Sequence, residues 1–307
     1  MEESILITRN LSKSYGKFEA VKATNINIKK GSIYGLVGKN GAGKTTLLRM
    51  IAGQTMITSG EIQLFSETTE KGLEISRKRI GAMIETPSFF PYLTAEENLE
   101  YYRVQRGIAG SGCIKQLLKD VGLEDTKKKK FKSFSLGMKQ RLGLALAMMN
   151  NPDFLVLDEP INGLDPMGIV EIRNLLLKLN EEKNITIIIS SHILSELASI
   201  ATEYGFIERG HMVEQISAEE LKEKCKECLE ISVDNAEKAA VLLEDKLNCH
   251  EYEVLPNNII RIYKFKDTPS KVSSAIVKNG VELNSMNIKG TNLEEYFVSL
   301  VGGVINA

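Results

Sequence analysis

The chain has 307 residues, is 43% hydrophobic and 26% charged, and carries a formal net charge of -1 at pH 7. That length predicts about two domains with a core large enough to need no disulfides, and the near-neutral balance excludes a global field that would draw nucleic acid or anionic lipid. No apolar run approaches the ~18 residues of a membrane span and no leader peptide is visible, so any membrane role is expected to come through a partner.

Ile33–Val37 (IYGLV) reads as a buried strand ended by glycine. Thr45–Ala52 has helical spacing, with Leu47, Leu48 and Ile51 on one face. Between them stands Gly38-Lys39-Asn40-Gly41-Ala42-Gly43-Lys44-Thr45, a full G-x-x-x-x-G-K-[ST] match in the required strand-to-helix setting. Glycines let the backbone close around a polyphosphate with its N–H groups inward, and the helix that follows adds its positive end. Lys44 is placed to reach the β- and γ-phosphates of a nucleotide, and the Thr45 hydroxyl to ligate Mg²⁺.

Further on, Lys127–Lys130 is a lysine run that reads as a solvated loop. Ser135 caps a helical run over Met138–Met149. Phe154–Leu157 (FLVL) and Ile185–Ile189 (ITIII) are continuous apolar runs suited to strands buried on both faces of a parallel sheet. Between them Pro166–Glu182 is an amphipathic helix opened by proline, with Ile169, Ile172, Leu176 and Leu179 on one side. This strand-helix-strand order predicts a doubly wound α/β sheet. Asp158 ends the FLVL strand, where an acidic Mg²⁺ partner belongs, and the adjacent Glu159 is free to serve an attacking water.

The character changes near Ser217, so domains are expected over 1–218 and 219–307. The second part reads as strand 229–233, helix 236–247, strands 251–255 and 259–263, helix 269–279, strand 281–288 and helix 293–301. That β-α-β-β-α-β order suggests a small ferredoxin-like α+β domain. It carries no chemical motif and is expected to be an accessory domain, regulatory or dimer-stabilising. Cys113, Cys225, Cys228 and Cys249 are scattered. Cys225 and Cys228 with Cys249-His250 make a zinc site conceivable from ligand types alone, but there is no second C-x-x-C, and reduced, unpaired thiols of a cytosolic protein are the expectation.

Phe134-Ser135-Leu136-Gly137-Met138-Lys139-Gln140-Arg141 resembles the signature motif of ABC ATPases, usually L-S-G-G-Q followed by x-Q-R. Ser135, Gly137, Gln140 and Arg141 match it, while Phe134, Leu136 and Met138 depart. Asn162-Gly163-Leu164-Asp165-Pro166 resembles that family's dimer-interface loop, Ser190-Ser191-His192 its switch histidine, and Tyr15 in Lys13-Ser14-Tyr15-Gly16 its adenine-stacking aromatic. The motifs fall in family order over Ile5–Ser217. The resemblance implies an ABC-type P-loop nucleotide-binding domain with a helical subdomain, and ATP hydrolysis in a head-to-tail dimer. ATP would then lie against Tyr15, Val21, Asn40, Gly41, Ala42, Gly43, Lys44, Thr45 and Thr46. Lys44, Glu159 and His192 would be catalytic. Ser135, Gly137 and Met138 would contact the twin's nucleotide, and Gly163, Leu164 and Asp165 would cross the interface.

Where the family usually has glutamine, Ile80–Glu85 ends in a glutamate, which the resemblance places on Mg²⁺ beside Thr45 and Asp158. That residue, the Ser-Leu-Gly-Met variant and the C-terminal extension resemble the ATPase subunits of lantibiotic immunity and bacitracin resistance. The expected partners are a second copy and a separate permease docked around Thr86–Thr94 at the cytoplasmic face of a bacterial plasma membrane, with no nucleic acid. Export of lipids or small drugs, or a soluble non-transport role, are the alternatives. Twin-cassette ribosomal proteins need a second phosphate loop, and coiled-coil repair ATPases need long heptad arrays; neither is present.

Overall fold

The computed structural model describes residues 3–85, 88–110, 112–126, 128–290 and 293–305, without the side chains of 301–305. Thr86 and Pro87 of the expected permease-docking loop, and Lys127 of the lysine run, lie outside the described residues. Two compact units divide the chain, Met1–Ala218 and Glu219–Ala307.

The first unit begins with β1 (Ser4–Tyr15), β2 (Phe18–Lys29), β3 (Ile33–Val37), α1 (Lys44–Ile51) and β4 (Ser59–Leu64). It continues through α2 (Glu70–Arg77), β5 (Ile80–Met83), α3 (Ala95–Gln105), α4 (Gly112–Asp120) and α5 (Leu136–Met148). It ends with β6 (Phe154–Asp158), α6 (Pro166–Lys183), β7 (Thr186–Ser191), α7 (Leu194–Leu197), β8 (Glu203–Glu208) and β9 (His211–Ser217). A six-stranded sheet has the order β5-β6-β7-β3-β8-β9. All its pairs are parallel except β8–β9. Strands β3 and β7 are buried along their whole length and β6 up to Asp158, as unbroken apolar runs require.

A second, antiparallel sheet of order β2-β1-β4 was not foreseen. Register shifts in β1 after Ser4, Thr8, Leu11 and Lys13 break the two-residue alternation that would have announced it. Its inner face joins α1 and the central strands in one core that includes Leu6, Ile28, Leu36, Leu47, Leu48, Val156 and Ile188.

Helices α3, α4 and α5 form the helical subdomain. Thr94 and Glu97 close a capping box on α3, Thr94 Oγ1 accepting from Glu97 N at 3.2 Å and Glu97 Oε2 from Thr94 N at 2.6 Å. Phe89 meets Tyr102 edge-on at 5.7 Å and Phe131 at 5.1 Å, tying the approach to α3 to that of α5.

The second unit holds α8 (Ala218–Lys224, starting at the boundary), β10 (Cys228–Val233), α9 (Ala236–Leu247), β11 (Tyr252–Leu255), β12 (Ile259–Ile262), α10 (Pro269–Lys278), β13 (Leu283–Lys289) and α11 (Leu293–Ile305). Its antiparallel sheet has the order β11-β12-β10-β13, the ferredoxin-like arrangement in which the first and third strands are central. Leu229, Ile231, Ile260 and Ile262 pack there against Leu243, Val272 and Ile276. Cys249 sits inside that core, Cys228 is buried on β10, and Cys113 and Cys225 are half-buried.

Candidate functional site

Parallel pairing sets Val37 opposite Ser191 and Asp158 opposite Ser190. The C-terminal ends of β3, β6 and β7 therefore lie at one edge of the sheet, and the residues after them are adjacent. Gly38 N donates to Ser191 O at 3.3 Å, which pins the start of the phosphate loop to β7. A side chain at Gly38 would stand 2.5 Å from Ile207 O, so only glycine fits there. Gly43 has φ +108° and faces Ala20 O just as closely.

The loop turns into α1 without a side-chain cap on the helix and with no acid in its first turn, among the described residues. By contrast α2, α3, α5, α6 and α9 are capped by Thr69, Thr94, Ser135, Asp165 and Asn235. The leading N–H groups of α1 thus keep their capacity for an anion, and Lys39, Asn40 and Gly41 are exposed above them. Lys44 is only 5% exposed. Its Nζ donates to Gly38 O at 2.7 Å and Lys39 O at 3.3 Å, and lies 3.1 Å from Glu159 Oε1.

The two neighbouring carboxylates are held for different tasks. Asp158 Oδ2 accepts the Thr45 hydroxyl at 2.7 Å, and Oδ1 accepts the Ser190 hydroxyl at 2.6 Å. Glu159 turns away in the left-handed region, φ +46°. Its Oε1 faces Lys44, while its Oε2 accepts Asn162 Nδ2 at 3.0 Å and lies 2.9 Å from His192 Nδ1. A carboxylate only accepts, so Nδ1 is the donor and the ring is fixed in orientation. Lys44, Glu159 and His192 form one continuous chain from the phosphate loop to the end of β7. The Thr45 proton is spent on Asp158, which leaves that hydroxyl's lone pairs and the carboxylate for a hard cation; the pair suits Mg²⁺ by donor type.

Tyr15 ends β1, is 48% exposed, and has Lys13 Nζ 4.9 Å from its ring centroid. Val21 corrects an expectation. It is 0% exposed, its side chain belongs to the core, and it lies under Gly43, so it supports the loop from below and offers no surface to a base. Ala42 is likewise buried in that core, and Thr46 is half-buried on α1.

Glu85 stands two residues past β5 and is exposed. Its Oε1 lies 2.5 Å from Arg49 Nη2, one helical turn beyond Thr45 on α1.

Ser135 is exposed at the head of α5, its Oγ accepting Met138 N at 3.3 Å. Met138 Sδ is 3.5 Å from Lys129 Nζ. Leu136 and Gly137 pack on the loop after β6: a Cβ at Gly163 would stand 3.2 Å from Leu136 Cδ2, and one at Gly137 3.7 Å from Leu164 Cδ2. Asp165 caps α6, its Oδ1 accepting Gly168 N at 3.1 Å. Sequence reasoning named Asn162 and Ser190 only as members of the motifs around Gly163 and His192 and gave no role to Arg49; each holds an acidic residue of this region. The signal for Ser190 was a polar residue closing an otherwise apolar strand.

A family model described as ABC transporter matches residues 21–162. The chain is 43% identical over 300 residues, 98% of each chain, to the bacitracin transport ATP-binding protein BcrA of Bacillus licheniformis. It is 44% identical over 212 residues, 68% of this chain and 89% of the other, to the lantibiotic transport ATP-binding protein SrtF of Streptococcus pyogenes. Among solved structures, cbiO1 from Clostridium perfringens, part of the ABC transporter complex cbiONQ, matches with a TM-score of 0.65 and 30% identity over 73% of this chain and 92% of that one. A dimeric ATP-binding cassette in a post-hydrolysis state, bound to ADP and Pi, matches with a TM-score of 0.62 and 27% identity over 69% and 98%. The chain belongs to the ABC transporter family, as an ATP-binding subunit that hydrolyses ATP.

Proposed function

We propose that two copies of this chain close around ATP and that its hydrolysis drives a separate membrane permease which expels a peptide antibiotic of the bacitracin or lantibiotic type. The observation that carries the hydrolytic part is the unbroken chain Lys44–Glu159–His192 at the ends of three parallel strands. The cargo is supported by likeness to a protein named for bacitracin transport over 98% of both chains, the second unit included. Among the described residues no helix is long and apolar enough to cross a membrane, so the subunit would sit at the cytoplasmic face through its permease.

In this reading Tyr15 stacks on the adenine, and the N–H groups of residues 40–46 and Lys44 hold the phosphates. Thr45 and Asp158 would hold Mg²⁺, which would supply charge neutralisation at the phosphate oxygens. Glu159 orients the attacking water and accepts its proton as the bond from the γ-phosphorus to the bridging oxygen breaks. His192, held through Nδ1, steadies the γ-phosphate. Ser135 of the twin, at an exposed helix start, closes the site from the other side, and Gly163–Asp165 lie at the seam. Residues 219–307 serve as an accessory domain, regulatory or dimer-stabilising.

Glu159→Gln tests this directly. Hydrolysis is expected to fall about 10²- to 10⁴-fold, and ATP should convert the variant to a dimer on gel filtration. A variant that stays monomeric with ATP, even beside its permease, removes the sandwich. Loss of the gene should sensitise the host to bacitracin-type peptides; unchanged sensitivity removes the cargo.

A further inference from the structure

We infer that Ser190 is a positioning residue for hydrolysis, one hydroxyl that sets the metal-side and the water-side carboxylates together. The inference rests on the roles proposed above for Asp158 and Glu159.

Ser190 is fully buried, and its hydroxyl is committed in both directions. It donates to Asp158 Oδ1 at 2.6 Å and accepts from the backbone N–H of Glu159 at 2.9 Å. A hydroxyl has one proton, so the two bonds fix each other's sense. Oδ1 of Asp158 must be the acceptor, which locks the carboxyl in rotation with Oδ2 towards Thr45. Glu159 N must be the donor, which holds that residue in its left-handed turn at φ +46° and aims its carboxylate back at Lys44 and His192. Such a conformation is strained for a non-glycine residue and persists only where neighbours hold it.

Position 190 is the place in β7 from which this can be done. Asp158 and Ser190 are paired across the parallel strands, so their side chains leave the same face of the sheet, and the next amide of the β6 chain is within reach. One residue earlier, Ile189 pairs with Leu157. One residue later, the Ser191 hydroxyl is taken by Glu196 at 2.8 Å and Ile193. An apolar residue at 190 would take away the partner of Asp158 Oδ1 and of the Glu159 amide.

The prediction separates positioning from packing. In Ser190→Ala, kcat for ATP is expected to fall about 10- to 100-fold, as for loss of a charged-group hydrogen bond. The Mg²⁺ concentration for half-maximal hydrolysis should rise several-fold. ATP binding measured in excess EDTA should stay within about twofold, because Lys44 and the loop amides do not depend on Ser190. Ser190→Thr, which keeps the hydroxyl, should restore the Mg²⁺ requirement, and it carries the test should the alanine variant lose its thermal transition. The inference is overturned if folded Ser190→Ala keeps parental kcat and Mg²⁺ dependence, if EDTA-insensitive ATP binding falls in step with kcat, or if threonine fails to rescue. Glu159→Gln run alongside tells the two failures apart. If it hydrolyses like the parent, the carboxylate roles fall and this inference with them; if it is inactive while Ser190→Ala is unchanged, only the serine's role falls.

Discussion

The two sheets that carry polar clusters use them in opposite ways. In the first unit, parallel β3, β6 and β7 deliver the residues after Val37, Leu157 and Ser190 to one edge, where chain continuity brings Lys44, Glu159 and His192 within bonding distance. In the second unit every neighbour is antiparallel, so strand ends alternate between the two edges. Its charge cluster lies mid-strand instead: Glu230 on β10 binds Lys289 Nζ at 2.6 Å and Arg261 Nε at 3.1 Å, on the face away from Leu229 and Ile231. Strand direction, more than residue type, decides whether polar side chains converge into chemistry or lace a surface together.

Four measurements sharpen or break that contrast. Lys44→Met should lower hydrolysis by at least about 10²-fold, since it removes the phosphate cation and leaves Glu159 without its buried counter-charge; a rate within tenfold of the parent would end the claim that the strand-end cluster is the reactive one. Ile260→Ala, in the core of the second unit, should cost about 2–4 kcal/mol in denaturant unfolding of that unit and leave ATP affinity unchanged. Loss of ATP binding in that variant would show that the two regions are not separable.

Acid should expose the surface cluster. Hydrogen bonds from Lys289, then Arg261, hold the Glu230 carboxyl below its ordinary value. A depressed carboxyl contributes stability that is complete above its unfolded pKa of about 4.3 and is lost as pH falls through the folded value. The second unit's melting temperature should therefore drop on acidification below that point, and Glu230→Gln should flatten the slope; an unaltered slope assigns it elsewhere. The smallest effect belongs to Glu85→Gln. The Arg49 pair is exposed and is worth about 0–1 kcal/mol, so thermal stability and hydrolysis should barely move while resistance in cells changes; if resistance too is untouched, Glu85 has no part in coupling.

Much of this molecule was legible in its residues. The apolar runs at Phe154 and Thr186 marked parallel strands because only a sheet covered on both faces tolerates them, and Gly38–Thr45 announced its own setting. The ferredoxin-like order followed from the alternation of short strands and helices over 229–288. What stayed hidden depended on direction and partner. The resemblance sets Val21 against the nucleotide, and bulges in β1 obscure that its face of β2 is inward. Arg49's hold on Glu85 joins α1 to the end of β5, and Ser190's hold on Asp158 joins two strands; neither leaves a trace in local spacing.

Leu136 pressing on Gly163 has a mechanical corollary. Asn162 grips Glu159 and is followed at once by the residues on which the head of α5 rests. A swing of that glutamate would be passed through Asn162 and Gly163 to Leu136, the residue after Ser135. In a paired assembly each protomer would feel its own progress at the place where it touches its neighbour's fuel.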